Sequence, residues 1–312
     1  MKKLLKNPNI TRKIGIIASL LVLMVVFTAL TNKFFSVSNF LNILQQAAIN
    51  LCVAVGMTFV IITGGIDLSV GSVMALSGMI MAMLMEAGVS PVLAVLIGLF
   101  AGAAFGAVNG LMIAKLSLQP FLVTLGTMSA YRGITLIISN GLPVRGFSTS
   151  YVNFMNSLNG IIPFPIVLSL ILALIALVVL RYFKFGQYLF AVGGNEEATR
   201  LSGINTAKIK ILTYALSGFT STLAAVIFLG RLGAADPQAG NGYEMNAIAA
   251  AAIGGASLAG GKGSIVGTII GCLILQTLNN GLTLLNVQSF YQTFAIGIIV
   301  LIATIIDRYS SK

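Results

Sequence analysis

Long apolar segments without charge recur along the whole chain, and they constrain its fold more than any other feature. Residues 14–31, 164–180 and 290–306 contain no Asp, Glu, Lys or Arg. A helix of about 20 apolar residues crosses a bilayer, because a helix satisfies its backbone hydrogen bonds internally. Since 57% of the residues are hydrophobic and only 8% are charged, the sequence predicts an all-α, polytopic integral membrane protein.

The apolar pattern predicts about ten transmembrane helices joined by polar segments. The predicted spans are 14–31, 41–63, 68–85, 91–114, 118–139, 164–180, 211–230, 246–259, 265–285 and 289–306. With a cytoplasmic N-terminus, fourteen Lys and Arg residues fall on the inner side, three fall on the outer side, and Arg132 lies within a span. Because basic residues concentrate in cytoplasmic loops, both termini are expected to be cytoplasmic.

The net charge of +11 follows this topology, so nucleic acid is not an expected partner. The chain has no histidine, which excludes Ser–His and Cys–His nucleophile pairs and histidine-ligated metals. Cys52 and Cys272 both lie in predicted spans and are expected to be buried free thiols. The sequence therefore predicts no catalytic site and no metal site.

A glycine-rich stretch, residues 255–263, has only a superficial likeness to a nucleotide-binding loop. The pattern G-x4-G-K-[ST] requires glycine at position 256 and Ser or Thr at position 263. The chain has Ala256 and Gly263 instead. The connections also leave no room for an internal soluble domain, so we expect one transmembrane domain over residues 1–312 that binds no nucleotide.

Three glycines recur at intervals of four residues in the fourth predicted span: Gly102, Gly106 and Gly110. This spacing places them on one helix face, where the missing side chains let a neighbouring helix approach closely. We expect this face to serve helix packing rather than ligand binding.

The predicted cytoplasmic loop near residues 181–210 contains a short helix with well-defined ends. Asn195 is a good N-cap residue, and Glu196 and Glu197 follow in the first turn, where the helix dipole favours acidic side chains. Gly203 suits the position just after the helix. Two interpretations remain open on local grounds: a helix that docks into a groove of another protein and transmits motion, or a surface helix at the lipid boundary.

A carboxylate lies at the boundary between the second and third spans. Gly64 and Gly65 interrupt the apolar run there, and Asp67 directly precedes Leu68. Such a carboxylate either caps the following helix or lines a polar path. The sequence position favours capping, with substrate contact as the alternative.

Amide side chains within the spans should face the interior of the bundle, because each costs free energy against lipid. They can either bind a polyhydroxylated solute or join one helix to another, and the second role is favoured for most of them. Arg132 is the exception, since its charge needs a partner that the sequence does not identify. The candidate lining of a translocation path is Gln45, Gln46, Asn50, Asp67, Asn279 and Asn280.

Several blocks in order carry a family resemblance over nearly the whole chain. They are residues 42–46, 56–71, 193–204, 247–250, 254–255, 257–263, 265–268 and 278–282. At these blocks the chain resembles the permease subunit of bacterial ribose-type ATP-binding-cassette importers. In the loop, Glu197-Ala198-Thr199-x3-Gly203 resembles the E-A-A-x3-G signature of importer permeases, with Thr199 in place of the second alanine.

The resemblance implies a transport subunit in the bacterial cell membrane that moves ribose or a related simple sugar inwards. It implies a second permease copy, cytoplasmic ATP-binding subunits that use the ATP, and an extracytoplasmic sugar-binding protein. It makes the loop helix an ATPase-coupling element, formed by Asn195, Glu196, Glu197, Ala198, Arg200, Leu201 and Gly203. The alternatives are an ion-coupled secondary sugar transporter, expected to carry more intramembrane ionisable residues, and a structural subunit without transport.

Overall fold

The computed structural model describes residues 8–156 and 163–310. The predicted cytoplasmic termini, residues 1–7 and 311–312, lie outside the described residues, as do residues 157–162 of the predicted outer loop. Helices dominate the fold, and the elements in chain order are α1 (Pro8–Leu30), α2 (Val37–Ile62), α3 (Val70–Glu86), α4 (Pro91–Lys115), α5 (Pro120–Ser139), β1 (Val144–Arg145), α6 (Thr149–Asn156), α7 (Phe164–Tyr182), α8 (Lys184–Gly194), α9 (Glu196–Leu201), α10 (Thr206–Leu232), β2 (Ala234–Ala235), α11 (Tyr243–Ile253), α12 (Ile265–Leu284) and α13 (Ser289–Ser310).

Within the described ranges, six helices are long and apolar enough to cross a membrane: α2, α4, α5, α7, α10 and α12. Shorter apolar stretches lie in α1, α3 and α13, at Gly15–Leu30, Val70–Glu86 and Ser289–Ile302. The predicted all-α membrane class is confirmed. The predicted span 246–259 differs, because α11 starts at Tyr243 and ends at Ile253. Its 11 residues extend only about 16 Å.

The bundle is organised around α2. Of its apolar stretch 83% is buried, compared with 61% for α10 and α12 and 22% for α4 and α5. The outer helices expose large apolar side chains such as Phe100, Leu174 and Phe294. These side chains form the surface expected against lipid hydrocarbon, whereas α2 packs against α7, α10, α11 and α12.

The glycine face of α4 packs directly against α10, as the sequence predicts. A Cβ atom at Gly102 would lie 2.9 Å from the carbonyl oxygen of Gly218, and one at Gly110 would lie 2.7 Å from the Cα atom of Ile211. A Cβ at Gly106 would collide with the carbonyl oxygen of Tyr214. The backbones of the two helices are therefore in contact along this face.

Gly106→Ala should destabilise the bundle, because the added methyl group must separate α4 from α10. Overpacking of this kind costs about 1–3 kcal/mol. The matched control is Gly126→Ala in α5, where a Cβ would meet nothing within 4 Å. The measurement is the midpoint of thermal unfolding of each purified variant in detergent. Equal midpoints for the two variants would contradict the close contact.

The connection between α10 and α11 folds back towards the bundle. Its first part, β2, pairs antiparallel with β1, with Val144 opposite Ala235 and Arg145 opposite Ala234. Gly240 then lies against Gly71 at the start of α3, and a Cβ on either glycine would collide with the carbonyl oxygen of the other. The φ angle of Gly240 is +77°, so this approach requires glycine in both conformation and space.

Candidate functional site

The loop helix predicted from the sequence is α9, and both of its predicted ends are confirmed. The Asn195 side chain accepts a hydrogen bond from the Ala198 backbone N–H at 2.9 Å. At the other end Gly203 has a φ angle of +81°, and the Ile204 N–H donates to the Thr199 carbonyl at 3.3 Å. This last bond is part of a Schellman motif, which satisfies carbonyls at a helix end.

One face of α9 is open to the surroundings. Ala198 and Leu201 are exposed, and Leu201 has 78% of its surface accessible. Thr199 is buried, and its hydroxyl donates to the Asn195 carbonyl at 2.7 Å. Because Thr199 points inwards, its departure from the family signature leaves the exposed face unchanged.

Two ion pairs involve the acidic residues of α9. A carboxylate oxygen of Glu196 lies 2.6 Å from Nζ of Lys210, which joins α9 to α10. Glu197 pairs with Arg200 within the helix at 2.8 Å, and both side chains are mostly exposed. Exposed pairs stabilise a fold only weakly, so Glu197 and Arg200 remain available to a partner while Glu196 orients the helix.

The helix that precedes α9 ends directly against the C-terminal end of α2. A Cβ on Gly193 of α8 would collide with the carbonyl oxygen of Ile62, which also accepts a hydrogen bond from the Gly261 N–H at 2.9 Å. A Cβ on Gly260 would lie 2.7 Å from the Gly193 carbonyl oxygen. The loop, the end of α2 and the glycine-rich stretch 255–263 therefore form one contact region, and a displacement of α8 acts directly on α2.

Asp67 lies between α2 and α3 with 1% of its surface accessible. One carboxylate oxygen accepts hydrogen bonds from the backbone N–H of Ser69 at 3.0 Å and from its hydroxyl at 2.6 Å. The other accepts from the hydroxyl of Ser217 in α10 at 2.7 Å. Asn109 of α4 donates to the Ser69 hydroxyl at 2.8 Å. Asp67 thus connects the α2–α3 segment to α4 and α10.

The prediction that Asp67 caps the third span is wrong. The N-cap position belongs to Ser69, and α3 begins at Val70. Asp67 instead forms a turn in which its side chain accepts the N–H two residues later. This turn satisfies the Ser69 N–H, one of the donors at the start of α3 that have no acceptor within the helix.

The amides of α2 and α12 bond to each other. Asn39 and Asn280 exchange two hydrogen bonds, of 3.0 and 2.9 Å. Gln276 donates to Gln46 at 2.6 Å and accepts from Asn50 at 3.2 Å. Three of the path candidates, Gln46, Asn50 and Asn280, therefore form hydrogen bonds that join α2 to α12.

The other two amide candidates for the translocation path are Gln45 and Asn279. Both are partly exposed. The Oδ1 atoms of Asn279 and Asn50 are buried, and neither has a hydrogen-bond partner among the described residues. Asp67 does not join this group, because its contacts are with α10 and, through Ser69, α4.

The partner of Arg132 is a contact that sequence reasoning missed. Nη1 of Arg132 donates to the carbonyl oxygens of Pro237 and Ala239, the second at 2.8 Å, in the connection between β2 and α11. Glu244 and Asp236 are the carboxylates whose charges act on the guanidinium. The sequence carries one indication of this contact. The predicted span 246–259 is too short for a full crossing, and it follows these two acidic residues.

Comparison with known proteins identifies the family. Residues 39–304 match the family described as branched-chain amino acid transport system / permease component. The chain belongs to this permease family. It is therefore a membrane-embedded transport component, as the sequence blocks predicted.

The similar proteins of known name are sugar permeases. The ribose import permease of Bacillus subtilis (strain 168) is 45% identical over 305 residues, covering 97% of this chain and 95% of the relative. The ribose import permease of Escherichia coli (strain K12) is 47% identical over 295 residues, covering 93% and 92%. The D-allose transport system permease of Escherichia coli (strain K12) is 42% identical over 302 residues, covering 96% and 93%. No solved structure matches the chain.

Proposed function

We propose that this chain is the permease subunit of an ATP-binding-cassette importer that moves ribose, or a closely related simple sugar, into the bacterial cytoplasm. The observation that carries the proposal is the identity of 45% and 47% to two ribose import permeases over most of each chain. The D-allose permease follows at 42%, so the preferred sugar requires direct measurement.

In this proposal ATP is bound and hydrolysed on separate cytoplasmic subunits, and this chain binds no cofactor. The helix α9 docks into a groove of the ATP-binding subunit through its exposed face around Ala198 and Leu201. Two observations support the coupling role: both ends of α9 are capped, and α8 contacts the end of α2. ATP-driven displacement of the loop would therefore reach α2, which packs against α7, α10, α11 and α12, in one step.

The assembly contains a second copy of this chain and an extracytoplasmic sugar-binding protein, and it lies in the cell membrane. The chain forms one domain with ten crossings, in which α1, α3 and α13 complement the six long apolar helices, and α11 completes the tenth crossing together with the connection that precedes it. Both termini are cytoplasmic on this topology. The arrangement is supported by the fourteen-to-three distribution of Lys and Arg.

The topology predicts that α6 and α9 lie on opposite sides of the membrane. Ser150 and Ser202 are exposed, whereas the native Cys52 and Cys272 are buried, so single introduced cysteines can report sidedness. A membrane-impermeant maleimide should label Ser150→Cys in intact cells and Ser202→Cys only in inside-out vesicles. Labelling of both variants from the same side would contradict the ten-span topology.

Substrate choice is tested by competition in vesicles that contain the whole importer. Uptake of radiolabelled ribose should be reduced by excess unlabelled ribose more strongly than by allose, and leucine should have no effect. Leucine is included because the family description names branched-chain amino acids. Saturable uptake of radiolabelled leucine with no saturable uptake of radiolabelled ribose would overturn the proposed substrate class.

A further inference from the structure

The connection that leads into α11 reaches well inside the bundle. Gly254 lies against Gly267, and Ala250 lies against Gly271, so α11 runs antiparallel to α12. Continuing this register places the start of α11 level with about Leu278, roughly 9 Å short of the end of α12 at a rise of 1.5 Å per residue. The helix therefore begins inside the bundle rather than at its surface.

A second contact places the preceding part of the segment deeper still. Gly240 meets Gly71, which lies 15 residues before the end of α3 at Glu86. At 1.5 Å per residue this distance is about 22 Å along α3. The segment between β2 and α11 is therefore irregular backbone at a depth where hydrocarbon would surround an outer helix.

The accessible side chains of this segment are mostly polar. Asp236, Gln238 and Asn241 are exposed, and Glu244 and Asn246 are partly exposed. The exposed side chains of the outer helices are instead large and apolar. Polar side chains and irregular backbone at membrane depth face protein or a water-filled cavity, because lipid cannot satisfy their hydrogen bonds. This surface must consequently face water or a partner subunit.

The segment is also held in a fixed conformation. Arg132 binds two of its carbonyl groups, Asp236 accepts the Gln238 N–H at 2.7 Å, and the Asn241 amide donates to Gln238 at 2.8 Å. Since the Arg132 guanidinium already donates to two carbonyl groups, it holds the segment in place and leaves the recognition of a solute to the amide side chains. Amides on a fixed backbone offer both donors and acceptors, which matches a polyhydroxylated ligand.

We propose that residues 236–246 line the passage for the sugar, with the side chains of Gln238 and Asn241 contacting the hydroxyl groups of the passing solute. Arg132 positions this segment and does not touch the solute. The proposal rests on the proposed function and extends it. It places sugar contact on this segment rather than on the amides of α2 and α12, five of which bond across the helix pair.

Water access is tested first, by thiol labelling of the complete importer in vesicles. A charged, membrane-impermeant thiol reagent should modify Gln238→Cys and Asn241→Cys. The matched control is Phe100→Cys on α4, since Phe100 is 78% exposed but faces lipid in this account. The native cysteines are buried and should give no background. Protection of both introduced thiols, with normal assembly, would overturn the proposal.

Sugar contact is tested by uptake of radiolabelled ribose. Gln238→Leu and Asn241→Leu should each lower the maximal rate about tenfold, because a lost hydrogen bond costs on the order of the energy that a tenfold change represents. Gln238→Asn should retain most of the rate. The control Gln288→Leu removes an exposed amide next to α13 and should leave uptake unchanged.

Each outcome has a distinct meaning once association with the ATP-binding subunit and the sugar-binding protein is measured alongside. Leucine variants that transport like the control would overturn the passage assignment while the proposed function stands. Leucine variants that lose the sugar-binding protein would make the segment a docking face, which also overturns it. Absence of ribose uptake by the native importer would refute the proposed function itself.

Discussion

Ala198→Trp is expected to abolish ATP-driven uptake while the protein still reaches the membrane. Ala198 lies on the exposed face of α9, so the large side chain meets no obstacle in the free chain and should not disturb folding. It would instead fill the groove into which α9 docks. Co-purification of the ATP-binding subunit should fall together with uptake, whereas binding of the sugar-loaded binding protein should persist.

The matched control is Ala29→Trp, because Ala29 is also exposed but lies near the outer end of α1. This variant should keep both the ATP-binding subunit and uptake. Retention of the ATP-binding subunit by Ala198→Trp, with uptake equal to that of the control, would show that α9 is only a surface helix.

A second substitution in the same loop acts through backbone conformation. Gly203 has open space around it but a φ angle of +81°, which a β-branched residue resists. Gly203→Val should therefore distort the end of α9 at a cost of about 1–2 kcal/mol and weaken docking. Gly203→Asn tolerates this conformation and should retain coupling.

Asp67→Ala should strongly reduce the amount of folded protein, and Asp67→Asn should not. The alanine variant removes the acceptor for two donors on Ser69 and one on Ser217, all of them buried. Buried donors without partners cost about 1–3 kcal/mol each, and since the two hydroxyls can rotate to other partners we expect a loss of about 3 kcal/mol.

The asparagine variant serves as the control for this loss. Its Oδ1 atom can accept both bonds from Ser69, and its Nδ2 group can donate to the Ser217 hydroxyl, which rotates to accept. Membrane abundance and the midpoint of thermal unfolding should remain near those of the native protein. Normal abundance of Asp67→Asn combined with complete loss of uptake would show that the negative charge itself is needed for transport.

Features that depend on neighbouring residues could be predicted from the sequence. The ends of α9 follow from Asn195 and Gly203, because capping involves groups only a few residues apart. The glycine face of α4 was also predictable, since a four-residue spacing fixes which side of a helix approaches its neighbour. The prediction of an all-α membrane protein required only the composition and the length of the apolar segments.

Features that depend on distant residues were not predictable. The bonds from Arg132 reach residues 105 and 107 positions away, and Asp67 meets Ser217 at a separation of 150. Hydropathy also cannot distinguish a full crossing from a short helix that follows an inserted segment, since both are apolar on average. The contact between Gly71 and Gly240 determines where α11 begins, and it exists only in the folded bundle.

If ATP bound on a partner subunit drives a sugar through this chain, the energy source for uptake can be identified in proteoliposomes. The purified permease, the ATP-binding subunit and the sugar-binding protein are reconstituted together, and uptake of radiolabelled ribose is followed with ATP and with ionophores. We expect uptake that requires all three proteins and ATP, resists ionophores and disappears with Ala198→Trp. Ribose uptake without the ATP-binding subunit that collapses when ionophores dissipate the ion gradients would contradict it and establish an ion-coupled transporter.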